Sequence, residues 1–280
     1  VGAAFNDSRV ELIWFVTSEA ERAAIKAGSS TTDHTATIQA AMAFVGAGEL
    51  HFGQAGWIWN LTAQLTMVSG ATYSGAAKIK AKTGAGFLHM FYGSGLSRTT
   101  VSGLELDGNT DASGCTGHGV YFTGGTDNKV IGCYIHDCLL AGYRGEAQTD
   151  PLVAWNRIID CGRVGPSDNH GIMVGSNSAA AFTGGLLFGN VVVNAYRKGL
   201  AVYAFSTGVV SGLRIEANRV NECGLGGIYL AGDIALANAQ RITIHGNQCW
   251  DNYVNYELAT VSYVTCSDNT SWFTDVMVAD

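Results

Sequence analysis

One short phrase, a glycine followed by a mostly apolar strand, recurs through the second half of the chain. It reads HGVYF at 118–122, AGYRG at 141–145, HGIMV at 170–174, KGLAV at 198–202 and GGIYL at 226–230. Successive glycines of the phrase lie 23, 29, 28 and 28 residues apart. A unit of this length cannot bury its apolar face alone and must stack on its neighbours. The period therefore predicts a solenoid.

A second phrase follows each copy of the first, an alternating strand that meets a polar corner. Its corner residue is asparagine in most copies: Asn156, Asn190, Asn218 and Asn247, with Asn269 in the last copy, Asn109 in a leading one and Cys133 as the exception. Asparagine tolerates left-handed backbone geometry and can hydrogen-bond to its own kind in the next coil. This spacing predicts an asparagine ladder along one corner of the solenoid.

The cysteines follow the same repeat. Cys138, Cys161 and Cys223 lie five residues beyond the corner, and Asn252 has that place in the next copy. There are seven cysteines in all and no CxxC pair, which argues against a zinc site and rules out a complete disulfide framework. We expect a stack of small buried side chains, because free cysteine is among the most buried residue types.

Composition and charge narrow the function. The 37 glycines, two prolines and 14% charged residues suit many short strands joined by tight turns. A net charge of −7 without a basic run does not support nucleic-acid binding. The apolar stretch from Val10 to Val16 contains Glu11 and is too short to span a membrane, so we expect no membrane insertion.

The amino-terminal part differs from the repeat. Residues 1–30 are a lead-in segment, and residues 31–47 carry apolar residues at helical spacing after Ser/Thr/Asp caps. A helix there would cover the open end of the solenoid, where bare strand edges invite aggregation. We therefore expect one domain over 31–280 that includes this capping helix and nine or ten coils.

Two segments carry a family resemblance, DHTATIQAAMAF at 33–44 and GELHFGQAGWIWNLTAQLTMVSGATYSGAAKIK at 48–80. They resemble the opening of the pectate-lyase superfamily through Asp33, Thr35, Ile38, Gln39, Ala41, Leu61, Leu65, Ser69, Gly70 and Gly75. The resemblance covers roughly residues 30 to 270. It implies an all-β, right-handed, single-stranded parallel β-helix. It is strongest to bacteriophage tailspikes and polysaccharide depolymerases, which implies a polysaccharide substrate, a homotrimer and an extracellular or virion-associated place.

Residues at equal repeat positions become neighbours when coils stack about 4.8 Å apart. Aligning the glycines gives three columns: His118, Ala141, His170 and Lys198; Tyr121, Arg144, Met173, Ala201 and Tyr229; Thr123, Glu146, Gly175, Tyr203 and Ala231. The densest polar group in this alignment is Arg144, Glu146, His170, Lys198 and Tyr203, which we take as the candidate catalytic residues.

This group suits β-elimination on a uronic-acid polymer. A cation neutralises the sugar carboxylate, a base removes the adjacent C–H proton and an acid protonates the leaving oxygen. Arg144 or Lys198 could hold the carboxylate, and His170 or Tyr203 could move the proton. His118, Tyr121, Asp168 and Tyr229 are the candidate substrate-binding residues, since aromatic faces stack on sugar rings.

Other functions stay open at this stage. Hydrolysis needs two carboxylates flanking one bond, and Glu146, Asp150 and Asp168 are the nearest candidates. A non-catalytic glycan-binding adhesin and a polysaccharide C5-epimerase are the further alternatives. Calcium needs clustered oxygen ligands, and no convincing acidic cluster falls on the chosen face, so we expect no metal and no cofactor. The acidic column Asp137, Asp160, Glu222 and Asp251 is expected to cap corners through backbone N–H groups.

Overall fold

The computed structural model describes residues 9–163, 169–176, 180–204, 207–232, 239–259, 262–272 and 276–279. Two α-helices lie near the amino terminus, α1 (Glu19–Lys26) and α2 (Thr35–Val45), with short 3₁₀ turns at Leu12–Phe15 and Thr110–Ala112. The strands in these ranges are β1 (Arg9–Glu11), β2 (Glu49–His51), β3 (Ile58–Leu61), β4 (Leu65–Thr66), β5 (Thr72–Ser74), β6 (Lys78–Ala81), β7 (Phe87–Ser94), β8 (Thr100–Ser102), β9 (Glu105–Asp107), β10 (Cys115–Thr123), β11 (Lys129–Ile131), β12 (Tyr134–His136), β13 (Tyr143–Glu146), β14 (Leu152–Ala154), β15 (Arg157–Ile159), β16 (His170–Ser176), β17 (Phe182–Thr183), β18 (Leu186–Phe188), β19 (Val191–Val193), β20 (Lys198–Ala204), β21 (Val210–Ser211), β22 (Arg214–Glu216), β23 (Arg219–Asn221), β24 (Gly226–Gly232), β25 (Ala239–His245), β26 (Gln248–Trp250), β27 (Tyr256–Ala259), β28 (Ser262–Ser267), β29 (Thr270–Trp272) and β30 (Val276–Ala279).

The strands form three parallel sheets that run the length of the molecule. Sheet I follows the order β1-β2-β5-β8-β11-β14-β18-β22-β25-β28, and β21 also pairs with β25 and β17 with β21. Sheet II follows β3-β6-β9-β12-β15-β19-β23-β26-β29, and sheet III follows β4-β7-β10-β13-β16-β20-β24-β27-β30. Each coil visits sheets I, II and III in turn, as β14, β15 and β16 do. The chain is a right-handed parallel β-helix, as the repeat and the resemblance predicted.

Each sheet buries one row of side chains that stack coil upon coil. In sheet I the central residues include Val101, Val130, Val153, Leu187 and Ile215, all fully or almost fully buried. The middle residues of sheet II stack in the same way, from Trp59 through Ile135 to Val220. Because buried apolar area contributes about 25 cal/mol per Å², these three rows supply the main stabilisation of the coils.

The two-residue turns from sheet I to sheet II carry the predicted asparagine ladder. Asn190 Oδ1 accepts hydrogen bonds from the backbone N–H and the side-chain amide of Asn156, at 3.1 and 3.0 Å. The same pair of bonds links Asn190 to Asn218, Asn218 to Asn247 and Asn247 to Asn269. The ladder is confirmed in these five coils.

Two details of the ladder prediction are wrong. The left-handed residue of the turn is the one before the asparagine, as in Trp155 (φ 55°) and Ala217 (φ 55°), so the amide is selected for its hydrogen bonds. Asn109 is not a member, because β9 pairs with β12 in a register that puts Leu104 at the position equivalent to Cys133. The Asn109 amide instead donates to the carbonyl of Ala81 at 2.9 Å.

The turns from sheet II to sheet III explain the acidic and cysteine columns. Asp137, Asp160, Glu222 and Asp251 all have φ between 53° and 57°, so they occupy corners by adopting the left-handed conformation, which Asp tolerates better than most residues. The cysteine that follows points inward: six of the seven cysteines are buried, Cys266 is exposed and none forms a disulfide. Burial raises the pKa of Cys133 and Cys223 to about 12, which keeps these thiols protonated.

The amino-terminal helix covers the first coils. Gln39 on α2 donates from its side chain to the carbonyl of Thr66 at 2.9 Å and accepts from the Thr66 N–H at 2.8 Å, so it replaces a neighbouring strand at the edge of sheet III. The predicted helix at 31–47 is thus observed over 35–45. From the lead-in segment, β1 pairs with β2 and extends sheet I. No helix in the described ranges is long and apolar enough to cross a membrane.

Candidate functional site

The outward side chains of sheet III form two parallel rows. The first outer row consists of Tyr92, Tyr121, Arg144, Met173, Ala201, Tyr229 and Glu257, one residue from each successive strand from β7 to β27. The second outer row consists of Ser94, Thr123, Glu146, Gly175, Tyr203 and Ala231. The strand registers reproduce the second and third columns that the repeat predicted, and they pair His170 with Lys198 in the first.

A notch interrupts these rows where the side chains are smallest. Gly175 forms its floor, and Arg144, Glu146, Met173 and Tyr203 line it. Gly175 has φ 153°, and a Cβ there would lie 2.0 Å from the carbonyl oxygen of Tyr203, so a side chain cannot be accommodated. The notch is therefore a permanent gap between the Glu146 carboxylate and the Tyr203 phenol.

Tyr203 and His170 form the central polar contact of the site. The Tyr203 hydroxyl lies 2.9 Å from His170 Nε2, and the ring centroids are 5.4 Å apart. His170 is 1% exposed. Burial, and after it the positive charges of Arg197 and Lys198, lower the pKa of His170 to about 3, so the imidazole is neutral at pH 7. His170 can reach a ligand only through the half-buried Tyr203.

Arg144 is held beside the notch by its neighbours. Its Nη2 lies 3.2 Å from Glu146 Oε2, and its guanidinium lies 5.2 Å from the centroid of the Tyr121 ring. The Tyr121 hydroxyl donates to the same Glu146 oxygen at 2.8 Å. Glu146 thus fixes both a cation and an aromatic ring, an arrangement that holds the guanidinium along the outer side of the sheet.

Lys198 forms a second cationic group two strands further on. Its Nζ pairs with Glu257 and lies 4.4 Å from the centroid of the Tyr229 ring. Tyr229 in turn contacts the Tyr203 ring at 5.4 Å. The five candidate catalytic residues therefore form two groups on one face. One group is Arg144 and Glu146, and the other is Tyr203 and His170, which Lys198 joins through the ring of Tyr229.

Aromatic rings extend the face on the amino-terminal side. His89 stacks on His118 with centroids 5.1 Å apart, and Tyr92 and Tyr121 lie 5.6 Å apart beside them. Burial, with Arg144 next, lowers the pKa of His89 to about 4 and holds the pKa of His118 well below its ordinary value. His118 is 2% exposed and its Nδ1 accepts the N–H of Ala141, so it supports the ring of Tyr121 instead of meeting a ligand.

Of the carboxylates considered for hydrolysis, Glu146 lines the notch and Asp150 does not. Asp168 lies outside the described residues. Asp150 sits at the turn into sheet I, where its N–H donates to Thr183 and its side chain borders Gly184. Glu257, on the other hand, lies four strands from Arg144, roughly 19 Å along the sheet. Glu146 and Glu257 are therefore too far apart to flank one glycosidic bond.

Three residues of the face were missed by the sequence prediction: His89, Tyr92 and Glu257. The repeat spacing contains the signal for all of them. A step of 29 residues back from His118 and Tyr121 reaches His89 and Tyr92, and a step of 28 forward from Tyr229 reaches Glu257.

A separate charged cluster lies on the outer face of sheet II. Carboxylate oxygens of Asp107 and Asp137 and a ring nitrogen of His136, atoms of the kind that bind metal ions, lie within 4.8 Å of one another. Cations already neutralise these acids: Lys78 and Lys80 lie 3.7 and 3.6 Å from Asp107, and Arg163 lies 3.5 Å from Asp137. We interpret the cluster as an ion-pair network across stacked coils.

Comparisons with known proteins agree on the fold. Residues 88–211 match the family described as right handed beta helix region. No protein of curated function matches the sequence. An alginate lyase from Paenibacillus sp. is similar in structure with a TM-score of 0.56 at 12% identity, over 88% of this chain and 96% of that one.

Two further structures show the same architecture. A putative glycosyl hydrolase from Parabacteroides merdae gives a TM-score of 0.52 at 12% identity, over 86% of this chain and 95% of that one. The Dettilon tailspike protein gives 0.51 at 16% identity, over 97% of this chain and 62% of that one, so this chain spans less than two thirds of the tailspike. At these identities the similarity establishes the right-handed β-helix and nothing finer.

Proposed function

We propose that this protein binds an acidic polysaccharide along the outer face of sheet III and cleaves it by β-elimination. The observation that carries the proposal is the hydrogen bond between Tyr203 and the neutral, buried His170, at a notch that Arg144 also lines. Structures similar in fold include an alginate lyase, a putative glycosyl hydrolase and a tailspike, which supports a polymeric carbohydrate as the substrate class.

The residues divide the chemistry as follows. Arg144 neutralises the uronate carboxylate and so acidifies the adjacent C–H bond. Tyr203 contacts the sugar: its phenol oxygen takes the proton of the adjacent C–H bond while its own proton passes to the leaving oxygen, so the C–O bond breaks as the C=C bond forms. The neutral, buried His170 keeps its hydrogen bond to that phenol oxygen and holds it in place, so His170 is a positioning residue and Tyr203 is the catalytic residue. Glu146 orients Arg144 and Tyr121.

Binding along the face uses the remaining groups. Lys198 offers a second positive charge two strands further along the helix axis than Arg144, an axial offset of roughly 10 Å, which suits the carboxylate of another sugar unit of the same chain. Tyr121 and Tyr229 supply aromatic faces on the two sides of the notch. We further propose an extracellular or virion-associated place and a homotrimer, on the resemblance to tailspikes.

A glycan-binding adhesin is the second candidate, because one observation favours it. Both cations of the face already pair with a carboxylate, Arg144 with Glu146 and Lys198 with Glu257. An adhesin could use the aromatic residues alone and leave these ion pairs closed. A C5-epimerase would begin with the same proton abstraction and leave the chain length unchanged.

The products decide among these functions. We expect incubation with alginate, polygalacturonate and hyaluronan to release, from at least one of them, fragments with an ultraviolet-absorbing unsaturated end. New reducing ends without that absorbance would show hydrolysis, an altered sugar composition at constant length would show epimerisation, and retention without change would show an adhesin. An Arg144→Gln variant that cleaves as fast as the parent would contradict the site.

A further inference from the structure

The corner between sheets II and III carries a strip of exposed large side chains beside the proposed site. Tyr196 is 58% exposed, Leu225 39% and Tyr253 74%. They belong to three successive coils, since the Leu225 N–H donates to Arg197 and the Gly227 N–H to Val254. We call Tyr196, Leu225 and Tyr253 the corner strip. Scattered exposed apolar residues need no explanation, whereas contiguous exposed patches are typical of binding surfaces.

The corner strip borders a groove with polar walls. The groove has a volume of about 360 Å³ and is lined by Asn194, Ala195, Tyr196, Glu222, Gly224 and Leu225. Its size falls within the range of small-molecule sites. The Tyr196 ring supplies an apolar wall, while the Glu222 carboxylate and Asn194 amide supply hydrogen-bonding groups.

The corner strip is continuous with the face of sheet III. Arg197 and Lys198 follow Tyr196 directly, and Tyr229 lies four residues beyond Leu225. Tyr196 and Tyr253 are two coils apart, roughly 10 Å along the helix axis, the same interval that separates Arg144 from Lys198. A polymer lying along the axis would therefore meet both tyrosines in one bound conformation.

We propose that the corner strip is a second carbohydrate-binding surface, which takes pyranose rings of the same polysaccharide by stacking. This inference rests on the proposed function for the choice of ligand. The apolar faces of two sugar rings of one chain pack on Tyr196 and Tyr253, and the hydroxyls of the ring on Tyr196 bond to Glu222 and Asn194. The negative charge of Glu222 disfavours a uronate carboxylate here. The corner strip therefore binds through rings and hydroxyls, in contrast to the cationic face of sheet III.

The test compares a strip variant, Tyr196→Ser/Tyr253→Ser, with a matched control. Trp155→Asn is the control, because Trp155 is also exposed, at 60%, but lies on the corner between sheets I and II, where Asn tolerates its left-handed backbone. Each protein is run through native gels that contain alginate, polygalacturonate, hyaluronan, dextran or arabinoxylan. We expect the strip variant to lose about tenfold in affinity for the polymer that retards the parent most, and the control to lose none.

Salt separates the corner strip from the cationic face. Raising NaCl from about 0.1 M to about 1 M shortens the Debye length from about 10 to about 3 Å and weakens charge-based binding. The ratio of parent to strip-variant affinity should stay constant across this range. A ratio that collapses toward one at high salt would overturn the stacking assignment.

The remaining outcomes are also decisive. Equal retardation of parent and strip variant overturns the inference while leaving cleavage by the sheet III face intact. Loss of retardation in the strip variant, with no product from any polymer, supports the corner strip and contradicts cleavage. A parent retarded by none of the five polymers overturns the inference. If the strip variant instead changes the oligomeric state by sedimentation, the corner strip is an interface between copies and the inference is wrong.

Discussion

The asparagine ladder and the outer face of sheet III are built on the same repeat and differ in almost every other respect. In the ladder, each coil repeats one residue and one set of hydrogen bonds, and Asn190, Asn218 and Asn247 are fully buried. On the face, no two adjacent coils carry the same pair of side chains between Tyr121 and Glu257. The uniform corner holds the coils in register, which leaves the face free to vary without loss of the fold.

The difference also appears in how polar groups are satisfied. Ladder amides bond to their own kind and to backbone carbonyls, so nothing is left for a ligand. The face instead carries ion pairs and a phenol–imidazole contact at a notch open to solvent. The polar groups of the ladder bond to one another, whereas those of the candidate site face a gap.

The largest expected effect is on activity and involves Tyr203 and His170. Tyr203→Phe should lower kcat/KM about 10²- to 10⁴-fold, the usual contribution of one acid–base group. If the two residues act as one unit, Tyr203→Phe/His170→Gln should be no slower than the slower single variant. Rates are compared by the appearance of unsaturated ends, with thermal unfolding as the check on folding. Fully multiplicative losses would mean that His170 does not act through Tyr203.

The next largest effect concerns the ladder and should leave chemistry untouched. Asn218→Ala removes two accepted and two donated side-chain hydrogen bonds, and it takes the Asn218 partner from the buried Asn190 N–H and Leu187 carbonyl, whereas Asn247 Oδ1 keeps the backbone N–H of residue 218. We expect the free energy of unfolding to fall by about 3 kcal/mol or more, because each unsatisfied buried group costs about 1–3 kcal/mol. Urea unfolding measures this loss.

Asn269→Ala is the control for the ladder. Asn269 is the last member and is only half-buried, so its loss should cost clearly less than that of Asn218. Equal losses at the two positions would show that the ladder does not stabilise the interior coils in the way proposed. Loss of kcat in Asn218→Ala at a temperature where it remains folded would break the division between corner and face.

The sequence predicted the ladder better than the face, for a physical reason. The ladder repeats because identical residues must bond to each other, so the spacing of Asn156, Asn190 and Asn218 reveals it directly. The columns of the face were also predicted correctly, since strand register follows the same period. The period does not reveal which strands a long side chain connects. Tyr203 hydrogen-bonds to His170 on the preceding strand, and Lys198 pairs with Glu257 two strands further on. Burial was equally hidden: His118, a candidate substrate-binding residue, is buried with its ring centroid 5.3 Å from that of Tyr121.

Acid should weaken the face and spare the ladder, because amides do not titrate. The pKa of His170 is lowered from the usual 6.5 to about 3, so the unfolded chain binds a proton between these values and the folded protein does not. Stability is therefore fully present above pH 6.5 and falls as the pH drops toward 3, by up to about 1.4 kcal/mol per pH unit for this group. His89 and His118 add to the loss in the same direction.

The measurement is the urea midpoint of the parent and of His170→Gln between pH 7 and pH 4. The variant lacks the titrating group, so its midpoint should fall less steeply over that interval. Carboxylates elsewhere contribute equally to both proteins and cancel in the difference. Parallel curves would contradict the assignment of acid sensitivity to this histidine.

The smallest expected effect tests whether the closed ion pairs of the face yield to a ligand. Glu257→Gln removes the carboxylate that pairs with Lys198 and leaves the ammonium over the Tyr229 ring. An acidic polysaccharide no longer competes with Glu257 for Lys198, so it should bind about three- to fivefold more tightly, the scale of a partly exposed pair. Neutral polymers should show no change, and high salt should reduce the gain.

Glu216→Gln makes the same charge change on sheet I, near Arg214, and should leave affinity unaltered. Weaker binding by Glu257→Gln would instead mean that Glu257 holds Lys198 in its binding position. The Lys198–Glu257 ion pair would then have a structural role, as the ladder does. Of Arg144 and Lys198, only Arg144 would bind a carboxylate of the ligand.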